Sequence, residues 1–98
     1  MHVITKTHLQ KFWIVHPESE SALLNWYKVT KKAQWKNLVE VKTDFPHAEL
    51  VGECIVFNVG GNNYRLVIKI KYRTKVVFVR YILTHAEYDK NKWKQDCR

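Results

Sequence analysis

CIVFNVGGNNYRLVIKIK, residues 54–71, reads as two β-strands and the turn that joins them. β-Branched and aromatic residues fill Cys54 to Val59 and again Tyr64 to Lys71, while Gly60-Gly61-Asn62-Asn63 between them are residue types that tolerate the backbone of a tight connection. A second reversal at Tyr72-Arg73-Thr74-Lys75 leads into Val76 through Leu83, so residues 53–84 are expected to form a three-stranded antiparallel meander.

Upstream of this hairpin the apolar period changes from 2 to 3.6. Leu9, Phe12, Trp13 and Val15 predict a first helix over Thr7 to His16, which Pro17 ends or redirects. A second helix follows, with Pro17 in its first turn, Glu18 and Glu20 at its positive end, and Ala22, Leu23, Trp26, Tyr27 and Val29 inward; Lys28, Lys31 and Lys32 populate its far end. Residues 33–44 predict a shorter helix with Trp35, Leu38 and Val39 inward, before Asp44-Phe45-Pro46 breaks the pattern. His2-Val3-Ile4-Thr5 predicts a short strand of a sheet completed later in the chain. Downstream, Thr84-His85-Ala86-Glu87 has the form of a capping box, which opens a short helix through Tyr88 and as far as Trp93. Helices first and then a sheet make an α+β fold: N-terminal helices packed on one face of a small twisted antiparallel sheet, with a short C-terminal helix, in one domain spanning 1–98.

Strand parity carries the reading from fold to surface. If Val59 pairs with Tyr64, Asn58 lies opposite Arg65, Phe57 opposite Leu66 and Ile55 opposite Ile68. If Tyr72 then pairs with Lys75, Lys69 meets Phe78, Val67 meets Arg80 and Arg65 meets Ile82. One face thus collects Asn58, Arg65, Lys69, Lys71, Phe78 and Arg80, and the other presents Ile55, Phe57, Leu66, Ile68, Ile70, Val77, Val79, Tyr81 and Leu83 to the helices.

Charge follows the same division. Residues 1–57 hold seven Lys/Arg against six Asp/Glu and residues 58–98 hold ten against three, so seven of the eight net positive charges belong to the second part. A one-sided basic surface attracts polyanions, and an aromatic among the cations stacks on unpaired bases, which makes RNA the leading partner class. No clean apolar run exceeds four residues, the length of Val76 to Val79, which is too short to span a bilayer, and the N-terminal residues lack the pattern of a signal peptide, so a cytoplasmic protein without a membrane partner is expected. Cys54 and Cys97 have no spacing of a zinc site or a redox motif and are expected as reduced thiols without a role. The scattered His2, His8, His16 and His47 show no ligand-like spacing, so neither a metal nor a cofactor is expected. Gly60 and Gly61 read as turn formers and not as a phosphate cradle, since no helix follows them.

The capped turn after the last strand places His85, Tyr88 and Asp89 at i, i+3 and i+4 beside the basic face. RNA is cut without a metal when a base takes the 2'-hydroxyl proton, cations hold the charged phosphorane and an acid protonates the departing 5'-oxygen. Arg65 and Arg80 fit the phosphate, and His85 and Tyr88 fit the proton transfers, with Asp89 orienting one of them and Asn58 in support; which is base and which is acid stays open. An arginine neighbour is the means by which a tyrosine would be lowered enough to act as a base. Lys69, Lys71, Arg73 and Phe78 extend the RNA-binding surface. The same residues also fit a solvated strand face tied to carboxylates, with His85 and Tyr88 packing at the sheet edge and Asp89 favouring a helix start.

VFNVGGNNYRL at 56–66 and RYILTHAEYDK at 80–90 closely resemble the HigB toxin family of the RelE superfamily. Phe12, His16-Pro17, Trp26-Tyr27, Lys32-Ala33, Trp35 and Phe45-Pro46 fall in the family's order and spacing, so the resemblance covers nearly the whole chain except its last residues. It implies a RelE-like α+β fold, messenger RNA cleavage on the translating ribosome, neutralisation by a helix-turn-helix antitoxin, and contact with operator DNA only indirectly through that antitoxin. Asn58, Arg65, Arg80, His85, Tyr88 and Asp89 match the family's active surface position by position. A non-catalytic RNA-binding or ribosome-binding protein, and a module whose basic face docks an acidic protein, remain the competing readings.

Overall fold

His2–Ile4 forms strand β1, Lys6–Val15 helix α1 and Glu20–Lys32 helix α2, the last preceded by a 3-10 turn over Pro17–Ser19. In this computed structural model residues 1–4, 6–61 and 63–98 are described, so the expectations that include Thr5 and Asn62 lie outside the described residues. Pro17 starts the 3-10 turn with its fixed φ, and the Glu20 carboxylate and the Lys31 and Lys32 ammoniums complement the dipole of α2 at its two ends. Asn37 caps helix α3, Leu38–Asp44, by accepting from the Glu40 N–H at 3.1 Å.

Five strands follow the order β1-β5-β4-β3-β2, where β2 is Glu49–Val51, β3 Cys54–Val59, β4 Tyr64–Lys71 and β5 Val76–Thr84. The expected meander β3-β4-β5 is antiparallel, β1 joins β5 in parallel, and β2 adds an antiparallel edge that the apolar pattern did not predict. Gly60 and Gly61 both take φ of +63°, the left-handed conformation the hairpin turn requires of them. The β3/β4 register is the expected one, with Asn58 opposite Arg65 and Ile55 opposite Ile68.

Between β4 and β5 the expected register holds only at one end. Lys69 meets Phe78 as predicted, but a bulge between Val67 and Ile68 slips the pairing, so Val67 faces Tyr81, Leu66 faces Ile82 and Arg65 faces Leu83. Arg80 is the extra residue and does not sit opposite Val67. The slip moves Tyr81 and Leu83 off the helix-covered face and turns Ile82 onto it.

The helices bury that first face. Leu9, Leu23, Trp26 and Val41 pack on Ile55, Phe57, Leu66, Ile68, Val77 and Val79. Val15 and Val39, expected inward, are 72% and 75% exposed, and Val41 takes the inward place in α3 because the helix begins only at Leu38. Tyr64 ties hairpin to helices: its hydroxyl donates to Glu18 and lies 3.4 Å from His16 Nδ1, while Phe12 stacks on the His16 ring at 4.5 Å.

The second face is not an open basic surface. After β5 the chain forms helix α4, His85–Asp89, and a 3-10 helix over Lys92–Cys97, and these fold back over the sheet. Trp93 and Cys97 join Cys54, Val56 and Val67 in a second buried cluster, flanked by Val51, Tyr81, Leu83 and Tyr88. Cys54 and Cys97 form a disulfide, which corrects the expectation of two free thiols; their separation of 43 residues carries no local spacing pattern. The approach is close enough that a Cβ on Gly52, at φ +58°, would collide with the Cys97 carbonyl oxygen, and the Glu53 N–H donates to that same oxygen.

Candidate active site

The site is built on the junction of β5 and α4. Thr84 holds an extended backbone and accepts from the Glu87 N–H at 3.2 Å, while Glu87 Oε1 accepts from the Thr84 N–H at 2.9 Å. This reciprocal cap, present as predicted, turns the chain sharply from strand into helix. It thereby fixes His85 and Asp89 one turn apart, with His85 Nδ1 3.0 Å from Asp89 Oδ2 and both side chains more than half exposed. Engaging Nδ1 leaves Nε2 as the ring nitrogen available to another molecule. Thr84→Ala removes the cap, at a cost of about 0.5–2 kcal/mol, and is expected to lower any activity of this turn while far-ultraviolet circular dichroism stays that of the folded protein.

Tyr88 lies one turn along the same helix. Its ring stacks on Trp93 at 4.9 Å and 19°, a contact reinforced by the Trp93 Nε1–H donating to the Tyr88 carbonyl at 2.9 Å. The Arg65 guanidinium carbon lies 5.3 Å from the centre of the Tyr88 ring, and Arg65 itself is only 8% exposed, with Nη1 donating to the Tyr64 carbonyl at 3.2 Å. Asn58, its cross-strand partner on β3, is exposed.

The Tyr88 hydroxyl is held above its ordinary value of 10, by burial first and by the Glu49 carboxylate second. Arg65 pulls it down and Asp89 pushes it up, and the raising influences win. Of the two roles left open for Tyr88, this direction favours the acid: with the raising influences outweighing Arg65, the phenol keeps its proton in the neutral range. Glu49→Gln removes one raising charge, so the Tyr88 phenol is expected to ionise at lower pH than in the parent protein, read as the absorbance difference between each protein and its own Tyr88→Phe variant. Glu49 carries no sequence signal, because β2 is a three-residue strand whose central Leu50 is exposed.

Arg80 stands apart from this group. Its Nη2 pairs with Asp96 Oδ2 at 3.5 Å, and Asp96 also accepts from the Tyr81 hydroxyl. That hydrogen bond, with the Arg80 and Lys69 charges, holds the Asp96 carboxyl below the usual range against a smaller opposing effect of burial. Lys69 lies 3.8 Å from Glu53, the Lys71 ammonium sits 5.8 Å from the Phe78 ring, and Arg73 is exposed in the β4–β5 turn. Along β4, Arg65 and Lys71 are about 20 Å apart, and Trp93 with the disulfide covers Val56 and Val67 between them. The structure therefore brings together Asn58, Arg65, His85, Tyr88 and Asp89, and sets Lys69, Lys71, Arg73, Phe78 and Arg80 along a separate cationic margin. Among the described residues no group of three or more His, Cys, Asp or Glu is placed to hold a metal ion, and no helix is long and apolar enough to cross a membrane.

Residues 19–91 match the sequence profile of a family described as the RelE-like toxic component of a toxin-antitoxin system, HigB. The chain is similar to the mRNA interferase HigB of Escherichia coli O6:H1, with 34% identity over 93 residues that cover 92% of this chain and 90% of that protein. It is similar also to the mRNA interferase toxin HigB of Escherichia coli K12 and to the mRNA interferase HigB of Shigella flexneri, each 29% identical over 92 residues, 91% of this chain and 88% of the relative.

Proposed function

This chain belongs to the HigB family of RelE-like toxins, and from that premise we propose that it is an endoribonuclease that cuts messenger RNA on the translating ribosome, without a metal, and so stops translation in the cytoplasm. The observation that carries this reading is the capped turn, in which a His85–Asp89 pair and a protonated Tyr88 project from one short helix next to Arg65. A histidine oriented through Nδ1 and a phenol that keeps its proton are complementary partners for acid–base chemistry.

In the proposed reaction His85 Nε2 takes the proton of a 2'-hydroxyl, and the 2'-oxygen attacks the adjacent phosphorus. The bond from phosphorus to the 5'-oxygen breaks as Tyr88 donates its proton to that oxygen. A 2',3'-cyclic phosphate and a free 5'-hydroxyl leave, and the proton on His85 returns to the tyrosinate through solvent. Asp89 holds the imidazole in place through Nδ1. Arg65, beneath the surface, offsets the tyrosinate charge that develops at Tyr88. Arg80, whose side chain is 44% exposed, reaches the phosphate when its pairing with Asp96 yields, and Asn58 lies beside the phosphate at the hairpin. Lys69, Lys71, Arg73 and Phe78 then hold the strand beyond the cut.

The partner is a helix-turn-helix antitoxin, through which operator DNA is contacted only indirectly. The test is a defined message, naked and in a translating system, with new 5' ends mapped at nucleotide resolution. In-frame cuts that require translation and vanish in Tyr88→Phe support the reading. Cuts in naked RNA replace it with a free ribonuclease, and ribosome binding without cuts replaces it with a non-catalytic binder.

A further inference from the structure

On the opposite side of the hairpin from α4, a cleft of about 250 Å³ opens between α2, the 44–48 segment and the free outer edge of β3. Its floor is aromatic: Trp26 and Phe57 meet edge to face at 5.7 Å, and Phe45 meets Phe57 at 5.1 Å. Its rim carries the exposed amides of Asn25 and Asn58. β2 pairs with β3 only as far as Val56, which leaves the edge at residues 57–59 open to the cleft.

Among the described residues the lining contains no Lys or Arg, although the chain carries a net charge of +8; its ionisable members are His47 and Asp44, whose carboxylate accepts from the Trp35 Nε1–H at 2.8 Å. An anion is therefore disfavoured there. Trp26 also has a buried indole N–H that finds no hydrogen-bond acceptor among the described residues. The surroundings suit a flat, neutral group that packs against aromatic rings and offers both donors and acceptors at its edge to the two amides. Asn58 links this cleft to the candidate active site, since it lines the one and is the cross-strand partner of Arg65 in the other.

We infer that the cleft is a nucleobase pocket, which holds one unpaired base of the message while the neighbouring phosphate lies at the turn formed by α4. The inference rests on the reading of the chain as a nuclease, and it assigns Asn25 and Asn58 to recognition of the base edge. Base selectivity at the cut then arises from this chain's own pocket.

The experiment follows the indole N–H resonances of the full-length protein, with Trp26 assigned through Trp26→Phe, during titration with each of the four nucleoside 5'-monophosphates and with ribose 5-phosphate. The Trp26 signal is expected to move with one or two of the nucleotides, to stay still with ribose 5-phosphate, and to stop responding in Ala22→Leu, which fills the cleft from α2. In translation reactions Ala22→Leu, and independently the exposed Asn25→Ala, are expected to change the base preference at cut sites by about tenfold. A Trp26 signal indifferent to all four nucleotides, or equally responsive to ribose 5-phosphate, overturns the inference, as do unchanged cut positions in both variants. If the parent protein cuts nothing yet Trp26 responds to nucleotides, the nuclease reading fails and the base pocket stands.

Discussion

Tyr88→Phe is expected to lower message cleavage by about 10²–10⁴-fold while leaving the fold intact. The substitution keeps the ring that stacks on Trp93 and lies over Arg65, and removes only the hydroxyl. His85→Ala is expected to fall in the same range, whereas Asp89→Asn, which keeps a hydrogen-bond acceptor for Nδ1 but loses the charge, should cost less. Cleavage rates at single mapped sites, measured beside thermal unfolding of each variant, check this. A Tyr88→Phe protein that cuts at the parent rate would remove the phenol from the chemistry and leave it as a packing residue.

Reduction of the Cys54–Cys97 disulfide is expected to destabilise the fold by about 2–4 kcal/mol. The bond closes a loop of 43 residues' separation, so breaking it returns much conformational freedom to the unfolded chain. It also joins β3 to the 3-10 helix that carries Trp93, against which Tyr88 stacks. Thermal unfolding with and without a thiol reductant measures the effect, and a Cys54→Ser, Cys97→Ser double variant insensitive to the reductant is the control. Equal midpoints for the oxidised and reduced proteins would show that the buried contacts of Trp93, Val56 and Val67 hold this layer without the covalent link.

The β3–β4 hairpin was legible because a short turn of residues that accept positive φ fixes the register, and alternation then assigns every side chain to a face. The capping box was legible for a similar reason: both of its hydrogen bonds are local. Neither advantage applies further along β5. Tyr81, Ile82 and Leu83 are three apolar residues in succession, so either register buries a hydrophobic side chain against the helices, and only packing selects the one in which Ile82 turns inward. The same non-local logic hid the C-terminal layer. Cys54 and Cys97 are distant in sequence, and Trp93 gives no indication of which sheet face it covers. A basic face inferred from parity alone thus became two regions, with the acid–base residues at one end and most of the cations at the other. The proton state of Tyr88 was likewise beyond a sequence reading, since it depends on burial and on Glu49 from a strand with no apolar signature.

The bulge gives residue count a role that residue type does not have. With Arg80 as the surplus residue, the last part of β5 is rotated by one position relative to its first part. Deleting it would send Tyr81 toward the helices, Ile82 away from them, and α4 off the wrong side of the sheet, even with every other amino acid unchanged. Exchange of the Arg80 side chain alters a charge but keeps this register, whereas gain or loss of a single codon there separates the acid–base turn from the hairpin it serves.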